Sequence, residues 1–94
     1  MKAVIKGKLY DTESAEMIAD WNNGELDSDV NKVIEELYLT KKGNYFLYKY
    51  GGLMLKYEGE VGIKPLKEEK DVKKWLEATK NAEAYIEHFD YEEA

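Results

Sequence analysis

Val33-Ile34-Glu35-Glu36-Leu37-Tyr38-Leu39-Thr40-Lys41-Lys42-Gly43-Asn44-Tyr45-Phe46-Leu47-Tyr48-Lys49-Tyr50 holds two apolar and aromatic runs on either side of a short polar break. Aliphatic and aromatic side chains fit a pleated backbone, so residues 34–40 and 45–50 read as strands. Between them Gly43-Asn44 is a pair able to take positive φ in a tight turn, which makes residues 34–50 a hairpin. Side chains alternate along a strand. In the second arm Tyr45, Leu47 and Lys49 therefore face one way, and Phe46, Tyr48 and Tyr50 the other. Aromatics on both faces imply that each face is at least partly covered.

Upstream of the hairpin, residues 3–9 carry a short strand-like pattern, and Asp11-Thr12-Glu13-Ser14 supplies turn formers. Residues 15–21 alternate Ala15, Met17, Ala19 and Trp21 with Glu16, Ile18 and Asp20, which favours a strand. Ser14 followed by Ala15, Ile18 and Ala19 also reads as a capped helix; the strand is the preferred reading. Asn22-Asn23-Gly24 closes that element, and an acidic loop runs on through Asp29. Downstream, Gly51-Gly52 breaks the second arm, and residues 53–57 form a short further strand before Gly59 and Gly62.

After Pro65 the period changes. Val72, Trp75, Leu76 and Thr79 share one face of a helix over residues 67–79, and Asn81 restarts a second with Ala82, Tyr85, Ile86 and Phe89 inward. The predicted fold is α+β: an antiparallel sheet of three to five strands followed by two C-terminal helices packed across one face. At 94 residues this is a single domain, 1–94, whose one core buries roughly 60 to 70% of the unfolded chain's surface.

Charge is segregated along the chain. Between Leu9 and Asn31 lie Asp11, Glu13, Glu16, Asp20, Glu25, Asp27 and Asp29 without one lysine, in a chain of formal net charge −6. Such a block raises a local negative potential and suits a basic partner. All 14 basic residues are lysine, so the bidentate arginine fork of specific DNA readers is missing. Direct nucleic-acid binding is accordingly disfavoured. The chain has no cysteine, which removes disulfides and thiolate chemistry and fits a reducing cytoplasm. No apolar run has the length of a signal peptide or a membrane span, so cytoplasmic localisation without membrane attachment is expected.

Candidate chemistry fails on spacing. Asp27-Ser28-Asp29-Val30-Asn31 opens like a calcium loop, but Lys32 stands where the turn glycine belongs and Tyr38 where the bidentate acid belongs. His88, with Glu87 and Asp90 nearby, is a lone histidine where a transition-metal site takes three or four convergent donors. Ser14 and Ser28 have no triad-type context, and the glycines match no phosphate-loop pattern. Glu35-Glu36 and Glu68-Glu69 are adjacent acids that diverge in regular structure and read as solvated faces. No catalytic residue, metal or cofactor is expected. The aromatic cluster Tyr38, Tyr45, Phe46, Tyr48, Tyr50 and Tyr57 reads first as packing against the helices, second as a protein-binding face. Stacking of nucleobases beside Lys41, Lys42 and Lys49 comes third, because the net charge opposes it.

The run from Gly7-Lys8-Leu9-Tyr10-Asp11-Thr12 to Ala15-Glu16, then Glu35-Glu36-Leu37-Tyr38-Leu39-Thr40-Lys41-Lys42-Gly43-Asn44-Tyr45-Phe46-Leu47 with Gly51-Gly52, and finally Pro65-Leu66 before Trp75-Leu76-Glu77, carries a resemblance. Together these stretches resemble a family of small, acidic, mostly uncharacterised proteins encoded on phages and conjugative elements of Gram-positive bacteria. Proteins of that general kind include anti-CRISPR inhibitors. Where a histidine and a further acid would be expected just before the Gly-Gly pair, this chain has Tyr48, Lys49 and Tyr50.

The resemblance implies an anti-defence role, and with it the acidic loop Asp20 to Asp29 and the acidic C-terminus suggest a non-enzymatic, protein-binding inhibitor from a mobile element, a DNA mimic occupying a nucleic-acid groove of a basic host enzyme such as a CRISPR nuclease by steering and competition with phosphates. The partner-binding candidates are Asp20, Glu25, Asp27 and Asp29 of the acidic loop, with Tyr48 and Tyr50. The alternative is a self-associating structural or accessory module, with the protein a monomer or a homodimer.

Overall fold

A computed structural model describes residues 1–26, 28–51 and 62–94. The element order is β1 (Lys2–Ile5), β2 (Lys8–Asp11), β3 (Glu16–Asn22), β4 (Val33–Leu39), β5 (Tyr45–Gly51), β6 (Gly62–Leu66), α1 (Glu69–Ala78) and α2 (Ala82–His88). Strands β3-β4-β5-β6 form one antiparallel sheet in that order, and β1-β2 form a separate hairpin. The fold is the expected α+β arrangement, and both faces of the sheet are covered, as the aromatics on each imply. The strand expected over residues 53–57, with Tyr57, lies outside the described residues.

The two faces follow from the alternation in β4 and β5. Leu37 is fully buried against Val72 and Leu76 of α1, and Ile18, Ala19, Leu47, Leu66 and Trp75 pack around them. Tyr38, the next residue, points the other way into a cluster with Tyr10 and Phe46, flanked by Ile5, Tyr48 and Ile63. Phe46 is fully buried, stacked on Tyr38 at 5.2 Å and met edge-on by Tyr10 at 5.4 Å. Tyr10 comes from β2, so the β1-β2 hairpin is the cover on this side. The division of Tyr45 and Leu47 from Phe46, Tyr48 and Tyr50 is as the sequence predicts.

The turns explain the departures. The β4-β5 turn has Gly43 at φ +90°, with Gly43 N donating to Thr40 O and Thr40 N to Asn44 O, both at 2.9 Å. Glycine alone supplies the positive φ here, and Asn44 does not share it. The first strand-like run breaks in the middle, at Lys6 (φ 52°) and Gly7 (φ 79°), two positive-φ residues that close a two-residue hairpin of the kind matching strand twist.

Residues 16–22 are a strand, as preferred. A bulge between Met17 and Ala19 interrupts its alternation. Ile18 and Ala19 consequently both pack into the helix-side core, which is why the run also read as helical.

Helix α1 begins with Glu69 and Asp71 in its first turn, where carboxylates oppose the helix dipole. It ends at Lys80 (φ 60°), with Lys80 N bonding Glu77 O and Asn81 N bonding Leu76 O at 2.9 Å. That left-handed cap satisfies the last carbonyls and redirects the chain into α2. Asn81 Nδ2 donates to the Asp20 carbonyl at 3.2 Å and ties the junction to β3. In α2 the packed residues are Ala84 and Tyr85, followed by Phe89 just past its end; Ala82 and Ile86, expected inward, are exposed. A seven-residue helix has too little length for a wider apolar stripe. No helix among the described residues is long and apolar enough to cross a membrane.

Leu37→Ala is expected to lower stability by about 2–5 kcal/mol in urea unfolding, since it opens a cavity between sheet and helix. Met17→Ala, at an exposed site, should change it by about 0.5 kcal/mol or less.

Candidate functional site

The hairpin-side face of the sheet continues past the Tyr38–Phe46 core toward the end where β3 leaves and β4 enters. Register places Asp20 opposite Glu36, and Glu36 opposite Tyr48; Tyr50 is the next same-face residue along β5. Glu36 is half-buried, and both carboxylate oxygens are engaged. Tyr38 Oη donates to Oε1 at 2.7 Å, and Tyr50 Oη donates to Oε2 at 2.9 Å. Tyr48 stacks on Tyr50 with ring centroids 4.8 Å apart. A negative charge is thereby fixed in position by two hydroxyl donors.

The phenols register this field. Burial, followed by the hydrogen bond to Glu36 and its charge, pushes Tyr50 up to about 12, with Tyr48 and Asp20 adding to the shift. Tyr38 is pushed above the ordinary tyrosine value by burial first and by Glu36 second.

Three of the six predicted partner-binding residues meet here: Asp20, exposed, with Tyr48 and Tyr50, half-buried. Glu25 is exposed in the adjoining loop, whereas Asp27 lies outside the described residues. Asp29 is half-buried, and its Oδ1 accepts the Asn31 N–H at 2.7 Å, so its carboxylate shapes the loop. Asn23 Oδ1 accepts the N–H groups of Glu25 and Val33 while its Nδ2 donates to the Asn31 carbonyl at 2.7 Å. Lys32 Nζ reaches the Glu25 carbonyl at 2.7 Å, a lysine at the base of the loop. Leu26 stands at 76% exposure among these polar groups, an apolar side chain presented to solvent.

Glu36 escaped the sequence reading, which took Glu35 and Glu36 for solvated acids. Both are half-buried and hydrogen-bonded on opposite faces: Glu35 Oε1 accepts the Trp75 Nε1–H at 2.7 Å on the helix side. The one signal available was that neighbours in a strand diverge, one toward each aromatic layer. Of the aromatic cluster, Tyr38 and Phe46 are core, and Tyr45 packs against Phe89 at 5.8 Å. Among the described residues no three His, Cys, Asp or Glu side chains converge as metal ligands. Comparison with protein-family models, curated proteins and solved structures returns no match.

In a native-state ultraviolet titration, Tyr50 and Tyr38 should ionise above the ordinary tyrosine value. Folded values above the unfolded value, near 10, mean that the stability from these phenols is complete below pH ~10 and lost as pH rises through the folded values, about 12 for Tyr50 and higher for Tyr38. Glu36→Gln should bring both ionisations earlier without restoring ordinary behaviour, because burial is the larger cause.

Proposed function

We propose that this protein is a non-enzymatic binding module that docks onto a basic protein surface through Asp20, Glu36, Tyr48 and Tyr50 together with Glu25 and Leu26 of the adjoining loop. The observation that carries this is the Glu36 carboxylate held between Tyr38 and Tyr50 on the same face as Asp20. A pre-positioned acid beside stacked tyrosines costs little ordering entropy on binding, and half-buried tyrosines supply contact area. The net charge of −6 supports a cationic partner and long-range steering toward it.

More narrowly, the partner is a nucleic-acid enzyme whose phosphate-binding groove the acidic end occupies, and the protein is an inhibitor of the anti-CRISPR kind carried by a mobile element. Support comes from the resemblance and from the acid block, since a groove built for phosphates also accepts ordered carboxylates. Self-association through the β3 edge is the lesser alternative: the bulge at Met17/Ala19 and the charges of Glu16 and Asp20 discourage strand-to-strand pairing.

A paired capture experiment tests this, using the wild type and the Asp20→Lys/Glu25→Lys variant on parallel columns. A nucleic-acid enzyme retained by the wild type, released by moderate salt and bound about tenfold or more weakly by the variant is the expected result. Equal retention by both columns contradicts it. Asp29 is left intact because reversing it would disrupt the loop rather than test charge.

A further inference from the structure

At the opposite end of the sheet, the tip of the β1-β2 hairpin, the β4-β5 turn and the chain between β6 and α1 enclose a cavity of about 690 Å³. Its polar lining includes Lys6, Lys8, Lys67 and His88, while Tyr45 and Phe89 are among its apolar walls. The one carboxylate in the lining, Glu69, is already paired with Lys73 at 3.2 Å. Among the described residues, the ion pairs Lys70–Glu68 and Lys73–Glu69 do not use Lys6, Lys8 or Lys67. Lys6, Lys8 and Lys67 line the same opening, and the Lys6 ammonium first, with Lys8 adding, holds Lys67 below the usual lysine value. Like charges gathered at one opening repel one another, and an anion relieves that repulsion.

Lys6 is also held at φ 52°, a turn position where glycine or asparagine is the easier residue. The backbone thus aims a lysine at this opening at a local conformational cost. A volume in the range of small-molecule sites, lined both by aromatic and aliphatic side chains and by lysines, describes a receptor for an anion with an apolar or aromatic body.

We propose that this cavity binds a small organic phosphate, the phosphate held by Lys6, Lys8 and Lys67 and the organic body lying against Tyr45 and Phe89. The site lies beside the β4-β5 turn, away from Tyr50 and the loop with Glu25, and it stands whether or not a basic protein docks there. A phosphate in it would neutralise the lysine end and leave the acidic end unchanged.

The test is a titration of the full chain with ADP, followed by amide chemical shifts, with inorganic phosphate and adenosine as comparison probes. ADP should move the Lys6, Gly7, Lys8, Asn44 and Lys67 amides and bind about tenfold more tightly than either comparison probe. The Lys8→Glu/Lys67→Glu variant, altered at exposed positions, should keep its folded spectrum and lose ADP binding about tenfold or more. Lack of ADP shifts in the wild type overturns the proposal. So do equal affinities for ADP and inorganic phosphate, or shifts that survive in the variant and fall equally on Lys41, Lys42 and Lys74.

Discussion

Two adjacent residues in the central strand β4, Leu37 and Tyr38, are buried in opposite directions, and the rest of the molecule is arranged to make that possible. Leu37 needs a helix over one face of the sheet, and Val72 and Leu76 supply it. Tyr38 needs a cover on the other, and the hairpin supplies Tyr10 while β5 supplies Phe46. A small domain with a two-layer core would leave one of these faces in water. Here a short hairpin serves as the third layer, and the helix side is locked by polar ties: Trp75 to Glu35 and Asn81 to the Asp20 carbonyl.

The same alternation positions the candidate site. Once Tyr38 and Phe46 are committed to the core, Glu36 and Tyr48 fall on that face by register, one pleat farther along, with Tyr50 beyond. Glu36 is therefore at the margin of the core, where a polar group needs hydrogen-bond partners, and the two phenols donate to it. Position in the sheet, rather than abundance of acids, distinguishes Glu36, and Glu35 on the other face, from the exposed carboxylates among the described residues.

Regular period made the β4-β5 hairpin, its side-chain facing and the first helix face legible in the sequence. The bulge at Met17/Ala19 was not legible, because an extra residue breaks the period of two and imitates helical spacing. The turn at Lys6-Gly7 was missed because lysine is an uncommon residue for positive φ. Ile86 was placed inward by spacing alone, whereas α2 packs through Ala84 and Tyr85, with Phe89 just beyond it. The roles of Glu35 and Glu36 depend on Trp75 and Tyr50, partners 40 and 14 residues distant, and strand alternation shows only that the two acids face opposite layers. The acidic block is spread in space: Glu25 adjoins one end of the sheet with Lys32 at the base of its loop, and Glu16, opposite Leu39, lies toward the end where Lys6, Lys8 and Lys67 line the cavity.

The central claim is that the ordered carboxylate and its tyrosines, rather than acidity in general, form the recognition surface. Amide chemical-shift mapping with a short lysine- and arginine-rich peptide tests it most directly. The account predicts shifts concentrated on Asp20, Glu36, Tyr48 and Tyr50 and on the neighbouring loop. Shifts confined to the acidic C-terminal residues, or distributed evenly over all carboxylate-bearing segments, would contradict it.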